Sequence, residues 1–330
     1  MTLTPRTALN AALLLLLGLV PLLTSWMGDS FYTGLLSRIL ILAIAALSLN
    51  LLIGYGGMIS FGHAAYIGIG AYAVGIGAFH AFEDGIDWML NGYIQLAAAL
   101  LGSALVALII GAISLRTRGV YFIMITMAFS QMLYFTFVGI ETYGADDGLT
   151  IYVRSDMLGL IDLSHETSFY YLIFISLLIV LYLMHRLVNS PFGHVIRGAK
   201  SNEARMRAIG FSPYRYRLTA FVIAGMIAGY AGFLMANLND FVSPDLLHWT
   251  RSADLIIMIL LGGMSSLFGP LYGALAFLML EEILSSIPYS IGGLNLGEYW
   301  QLLFGPLLIF IVLFARNGIE SFLPGARKNG

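Results

Sequence analysis

The chain has 330 residues, 59% hydrophobic and 10% charged, far below the roughly 25% charged usual in soluble domains, so it reads as a polytopic membrane protein. Its net charge of −2 says little in itself, because the placement of lysine and arginine, not their sum, orients such a chain. No cysteine is present, which excludes disulfides, thiolate metal sites and cysteine nucleophiles.

Apolar runs long enough to cross about 30 Å of hydrocarbon fall, in chain order, at 8–27, 36–53, 60–79, 94–115, 119–138, 169–184, 218–237, 253–268, 270–287 and 299–314. They predict an all-α protein of about ten transmembrane helices, some broken at glycine-rich stretches. The first run is longer than a signal-peptide core and has no convincing small-residue cleavage site, so it is read as a retained span. A cytoplasmic N-terminus then puts every lysine and arginine except Arg38, Arg154 and Arg251 on the inner side. That bias predicts cytoplasmic N- and C-termini.

The segment 186–217 is the longest polar, cation-rich stretch between two apolar blocks, with Arg197, Lys200, Arg205 and Arg207 at its centre. Ser190 is suited to cap a helix with Pro191 in its first position, Ser201 to cap a later start, and Gly210 to a left-handed stop. Glu203 and Arg207 stand four apart in the favoured order for a helical ion pair. Two readings stand: a short docking helix outside the membrane, or a solvated basic loop near the headgroups.

Two glycine-rich stretches interrupt the spans in similar ways. Gly56-Gly57-Met58-Ile59-Ser60-Phe61-Gly62, followed by His63, resembles Gly262-Gly263-Met264-Ser265-Ser266-Leu267-Phe268-Gly269, with one residue inserted. Paired interruptions suit transporters, whose broken helices expose backbone groups along a pathway; the alternative is that small residues simply let helices pack closely. Gly56, Gly57, Ser60, Gly62, His63, Gly262, Gly263 and Ser265 are therefore candidate pathway residues. Asp254, Glu281 and Glu282 are ionisable within spans, and each is more simply read as solvated or snorkelling near an interface.

Gly193-His194-Val195-Ile196-Arg197-Gly198-Ala199-Lys200-Ser201 approaches a phosphate-binding loop but carries an extra residue before the lysine and follows a membrane helix instead of a strand. No nucleotide-hydrolysing machinery, catalytic set or metal-ligand spacing is recognisable, and no cofactor is expected on this chain.

The run from Leu47-Ser48-Leu49-Asn50 through Gly54-Tyr55-Gly56-Gly57 and Ser60-Phe61-Gly62-His63 to Gly70-Ala71-Tyr72 resembles the permease subunits of branched-chain amino-acid ABC importers, of the LivM type. Later landmarks agree in order: Arg116-Thr117-Arg118-Gly119-Val120-Tyr121, Gly144-Ala145-Asp146-Asp147-Gly148, Ser190-Pro191-Phe192-Gly193, and Leu261 to Pro270. The resemblance implies a bacterial inner-membrane permease with an N-terminal span and outer loop (1–35), a core (36–319) containing the docking loop, and a cytoplasmic tail (320–330). It also implies a second, LivH-type permease, two cytoplasmic ATPases holding ATP and Mg, and an extracytoplasmic substrate-binding protein. Glu203 to Gly210 corresponds to the loop that docks on the ATPase, with Arg205 in place of the second alanine and the glycine one position later. Urea or short-amide uptake and an ion-coupled secondary carrier are the competing functions; an intramembrane enzyme has no supporting constellation.

Overall fold

A helix that is apolar on every side must be kept from water on every side, by lipid or by the protein itself, and one wholly enclosed by protein forms the centre of the bundle. In the computed structural model this is the position of α2 (Phe31–Asn50), which continues through a π-helical turn, Leu51–Tyr55, and has its last two-thirds almost wholly enclosed. The structure describes residues 5–27, 31–157, 159, 162–264, 266–286, 290–291, 294–295, 302, 304–306, 309 and 318–319. Around α2 stand α6 (Glu166–Asn189), α9 (Pro213–Asn239), α10 (Trp249–Gly262) and α11 (Gly269–Ser285). A second layer comprises α3 (His63–Glu83) and α4 (Gly92–Ser114), both packed on α9. The perimeter helices α1 (Pro5–Met27) and α5 (Val120–Val138) leave Leu15, Leu16, Leu22, Met124 and Phe135 exposed, as lipid-facing surfaces do.

Lipid offers no hydrophobic drive to helix association, so close backbone approach must supply much of it. The α3–α9 crossing is made in this way: a side chain on Gly70 would collide with the Gly229 carbonyl, and one on Gly232 with the carbonyl of Ile67. Polar contacts reinforce the layer, with Ser103 Oγ donating to Tyr66 O at 3.1 Å and Ser130 Oγ to Leu247 O at 2.7 Å.

Among the described residues, seven helices are long and apolar enough to span a membrane, and they match the first seven expected spans, with boundaries differing by up to five residues. The eighth and ninth expected runs, 253–268 and 270–287, are found as two shorter helices: α10, 14 residues ending at Gly262, and α11, 17 residues starting at Gly269. At 1.5 Å per residue these reach about 21 and 26 Å, so α10 is shorter than a full span and α11 lies at the lower end of the lengths that cross. The run 253–268 overshoots the end of α10 because Met264, Leu267 and Phe268 keep the hydropathy high within the glycine-rich break. The tenth expected span lies mostly, and the tail 320–330 wholly, outside the described residues.

At one end of the bundle β1 (Leu149–Thr150) pairs antiparallel with β2 (Phe241–Val242). Beside them Arg154 makes a two-point bond to Asp240, both contacts at 2.8 Å, and donates to Leu163 O. Gly144 to Gly148 forms a turn, Gly144 and Gly148 both having positive φ. The opposite end carries α7 (Pro191–Ser201) and α8 (Glu203–Ala208).

Candidate functional site

The basic segment folds as two helices, each started by the chemistry of its own cap. Ser190 Oγ accepts from Gly193 N at 3.4 Å with Pro191 in the first position of α7. Asn202, not Ser201, caps α8, its Oδ1 accepting from Arg205 N at 2.9 Å. Gly210, at φ +93°, ends the unit in the left-handed conformation that glycine adopts without strain. Val195, Ile196 and Ala199 turn inward from α7, and Tyr216 anchors the return with its ring 5.6 Å from Phe192 and 6.1 Å from Phe211.

Three of the candidate docking residues point into the protein. Arg197 donates to Val188 O at 2.9 Å. Lys200 lays its stem over Gly57 and donates from Nζ to Gly54 O at 2.6 Å. Glu203 receives Arg118 and Arg217, both at 2.9 Å, as well as the Arg207 bond anticipated from the four-residue spacing. Partial burial, the largest single influence, pushes the Glu203 carboxyl upward, yet the charges of Arg217, Arg118 and Arg207 together hold it below its usual value. Arg205, Arg207 and Gly210 remain exposed, joined by Ile209, 62% exposed, and Phe211, 40% exposed.

The first glycine break begins where the π-helical turn of α2 ends. Gly57 has φ +67°, and the break turns back at Gly62, whose absent side chain lets the chain lie on the Thr126 carbonyl of α5. Phe61 N donates to Thr126 Oγ1 at 3.2 Å, and Ser60 Oγ accepts from Gly62 N at 3.3 Å. His63 is fully buried: its Nε2 lies 2.6 Å from Ser48 Oγ, its ring meets Tyr66 edge-on, and its Nδ1 has no hydrogen-bond partner among the described residues. Ala64 N, one residue on, donates to Ser252 Oγ of α10 at 2.8 Å.

The second break joins α10 to α11. A side chain at Gly262 would collide with Gly269 O, and Gly263 takes φ +122°. Ser265 lies outside the described residues, but the carbonyl of its neighbour Ser266 accepts from Asn50 Nδ2 at 2.8 Å. Asn50 and Gly54 are one turn apart at the end of α2, so both breaks and Lys200 converge on the same end of that helix. A cavity of about 330 Å³ opens there, between Gly57, Ile59, Arg118, Lys200, Glu203 and Arg217.

Sequence reading misses Arg118 and Arg217 as partners of Glu203, and Asn50 as the tie to the second break. Arg118 is 85 positions from Glu203 and Asn50 is 216 from Ser266, and no local pattern joins them. Ile209 and Phe211 are detectable as large apolar residues inside a basic stretch.

An all-α bundle with paired helix–break–helix units, tied at one end to short amphipathic helices, defines the protein as a polytopic membrane protein of the broken-helix kind found among transporters. Residues 31–312 match the family model described as branched-chain amino acid transport system / permease component. The chain belongs to this family, whose members are transport subunits and not enzymes. It is 27% identical over 319 residues to the high-affinity branched-chain amino acid transport system permease protein LivM of Escherichia coli, covering 88% of this chain and 71% of that one. It is 26% identical over 316 residues to the probable branched-chain amino acid transport permease protein LivM of Methanocaldococcus jannaschii, covering 84% and 89%. A shorter match, 26% over 152 residues, reaches that organism's probable permease protein LivH and covers 44% of this chain and 45% of that one. No solved structure matches.

Proposed function

We propose that this chain is the LivM-type subunit of an ABC importer, conducting branched-chain, hydrophobic amino acids across the bacterial inner membrane beside a LivH-type permease. Two cytoplasmic ATPases, with ATP and Mg, supply the drive, and an extracytoplasmic binding protein delivers the substrate. The end carrying α7 and α8 is cytoplasmic in this reading, as are both termini. Exposed Arg205, Arg207, Ile209 and Phe211 offer an ATPase both charge and apolar surface.

One observation carries the proposal: Lys200 couples α7 directly to the end of α2 at Gly54 and Gly57. A displacement of the docking unit would therefore reach the first break without passing through lipid-exposed chain. Gly56, Ser60, Gly62, His63, Gly262, Gly263 and Ser265 belong to the moving element in this reading.

The test is uptake by the purified complex in proteoliposomes. ATP-dependent uptake of leucine, isoleucine and valine is expected. Uptake of urea but none of these would transfer the chain to amide transport, and uptake by this chain alone under a proton or sodium gradient would make it a secondary carrier.

A further inference from the structure

A second cavity lies far from the docking end. Arg38 of α2 is about 16 residues from Gly54, or ~24 Å along the helix. There a partly open space of about 180 Å³ lies between α2, α3, α9, α10 and α11, well beyond the 10–15 Å³ that one water requires. Among the described residues four charged side chains line it: Arg38, Arg251, Asp254 and Glu281. They are two cations and two anions brought together from three helices.

Two of these charges meet: Arg251 Nη1 stands 3.8 Å from Asp254 Oδ2, an ion pair too long for a hydrogen bond, with both side chains partly exposed, at 48% and 38%. Among the described residues Arg38 and Glu281 make no hydrogen bond or ion pair. Charge within a membrane bundle is costly, and it is retained where it faces a pathway or a partner. The rest of the wall is apolar, with Ile67, Met235, Leu255, Met258 and Phe277 among its residues. Such a wall around a few convergent polar groups is the usual form of a small-molecule site.

We propose that this cavity is a transit site for the zwitterion of an aliphatic amino acid, with Arg38 receiving its carboxylate, Glu281 its ammonium group, and the apolar wall its side chain. Arg251 and Asp254 flank these two and balance the charge when the site is empty. A neutral amide such as urea would leave Arg38 and Glu281, unpaired among the described residues, unmatched, so the site selects for opposite charges on one small molecule. The assignment of leucine-like ligands rests on the proposed function; the recognition of a zwitterion rests on the cavity alone.

The chain has no cysteine, so Leu246→Cys, on the cavity wall, gives a single reporter in the assembled complex. Leucine should slow its reaction with a small maleimide. The same molecule without its ammonium group, 4-methylpentanoate, or without its carboxylate, 3-methylbutylamine, should not. Arg38→Gln and Glu281→Gln should each lower the maximal rate of leucine uptake by about tenfold or more, the size of a lost charge-assisted hydrogen bond, with the half-saturating concentration, set by the binding protein, unchanged. The reporter carries all four charges, so it remains decisive if either variant fails to assemble. Leucine protection in a complex that imports no branched-chain amino acid would uphold the site and overturn the proposed function. Normal leucine import with no protection and unaffected variants would overturn the site and leave that function standing.

Discussion

Gly57 and Gly62 are five residues apart and differ in what a side chain would meet. At Gly57 a methyl group comes 2.9 Å from Cγ of Lys200, a flexible stem, and the left-handed φ adds a strain of about 1–2 kcal/mol. At Gly62 it comes 2.8 Å from the Thr126 carbonyl, which is helix backbone and has little room to yield. Overpacking of that kind costs typically about 1–3 kcal/mol. Gly57→Ala should therefore assemble at near-normal yield but transport poorly, because it displaces the Lys200 link. Gly62→Ala should lose folded protein first. Size-exclusion yield and uptake, measured on both, check this; normal uptake by Gly57→Ala would separate Lys200 from coupling.

The α8 element is held by one carboxylate among three arginines. Single exposed pairs contribute little, about 0.2–1 kcal/mol, but Arg217 and Glu203 are mostly enclosed, at 19% and 14% exposure, and link α8 to α9. The folded carboxyl lies below its ordinary value, so its stabilisation is complete above the unfolded value and disappears as pH falls through the folded one. With an ordinary glutamate near about 4.3, α8 should stay docked through neutral pH and loosen only below about pH 4. A fluorophore on Ser201→Cys should show falling anisotropy in that range, and Glu203→Gln should show the low value at every pH. Glu203→Lys replaces the shared anion with a fourth cation and should reduce ATPase association while membrane insertion persists. Retention of the ATPase at wild-type levels would return α8 to a solvated basic loop. At the other end, Arg154, in the segment that follows β1, is joined to the close of α9 through Asp240. That pair is partly exposed, so Arg154→Gln should cost about 1 kcal/mol, read as a small drop in the thermal midpoint of solubilised protein. An unchanged midpoint would make the bond incidental.

For the molecule as a whole, Ser201 at the end of α7 and Asp147 in the turn before β1 are both exposed and lie at opposite ends of the bundle. Single cysteines at these positions should react from opposite sides of the membrane, Ser201→Cys from the cytoplasm and Asp147→Cys from outside. Labelling of both from one side would overturn the orientation and the span count together. The central place of α2 gives such a molecule its likeness to a two-ended lever. One end meets the docking unit and both breaks, and the other reaches the charged cavity through Arg38.

Part of this organisation is legible in the amino-acid sequence by itself. Hydropathy sums along neighbouring residues, so the first seven spans, the all-α class and the basic segment follow from local composition, and cap residues place the start of α7. The role of Ser190 and the stop at Gly210 are readable for the same reason: each depends on a few adjacent backbone groups. Only the tertiary structure decides that α10 ends at Gly262 and α11 begins at Gly269, that Glu203 gathers Arg118 and Arg217, and that Lys200 reaches Gly54. Asp254 and Glu281, which read as interface residues in sequence, share a cavity with Arg38 and Arg251. Those contacts join residues far apart in the chain, and the small residues and buried polar groups that make them carry no periodic signal of the partner they will meet.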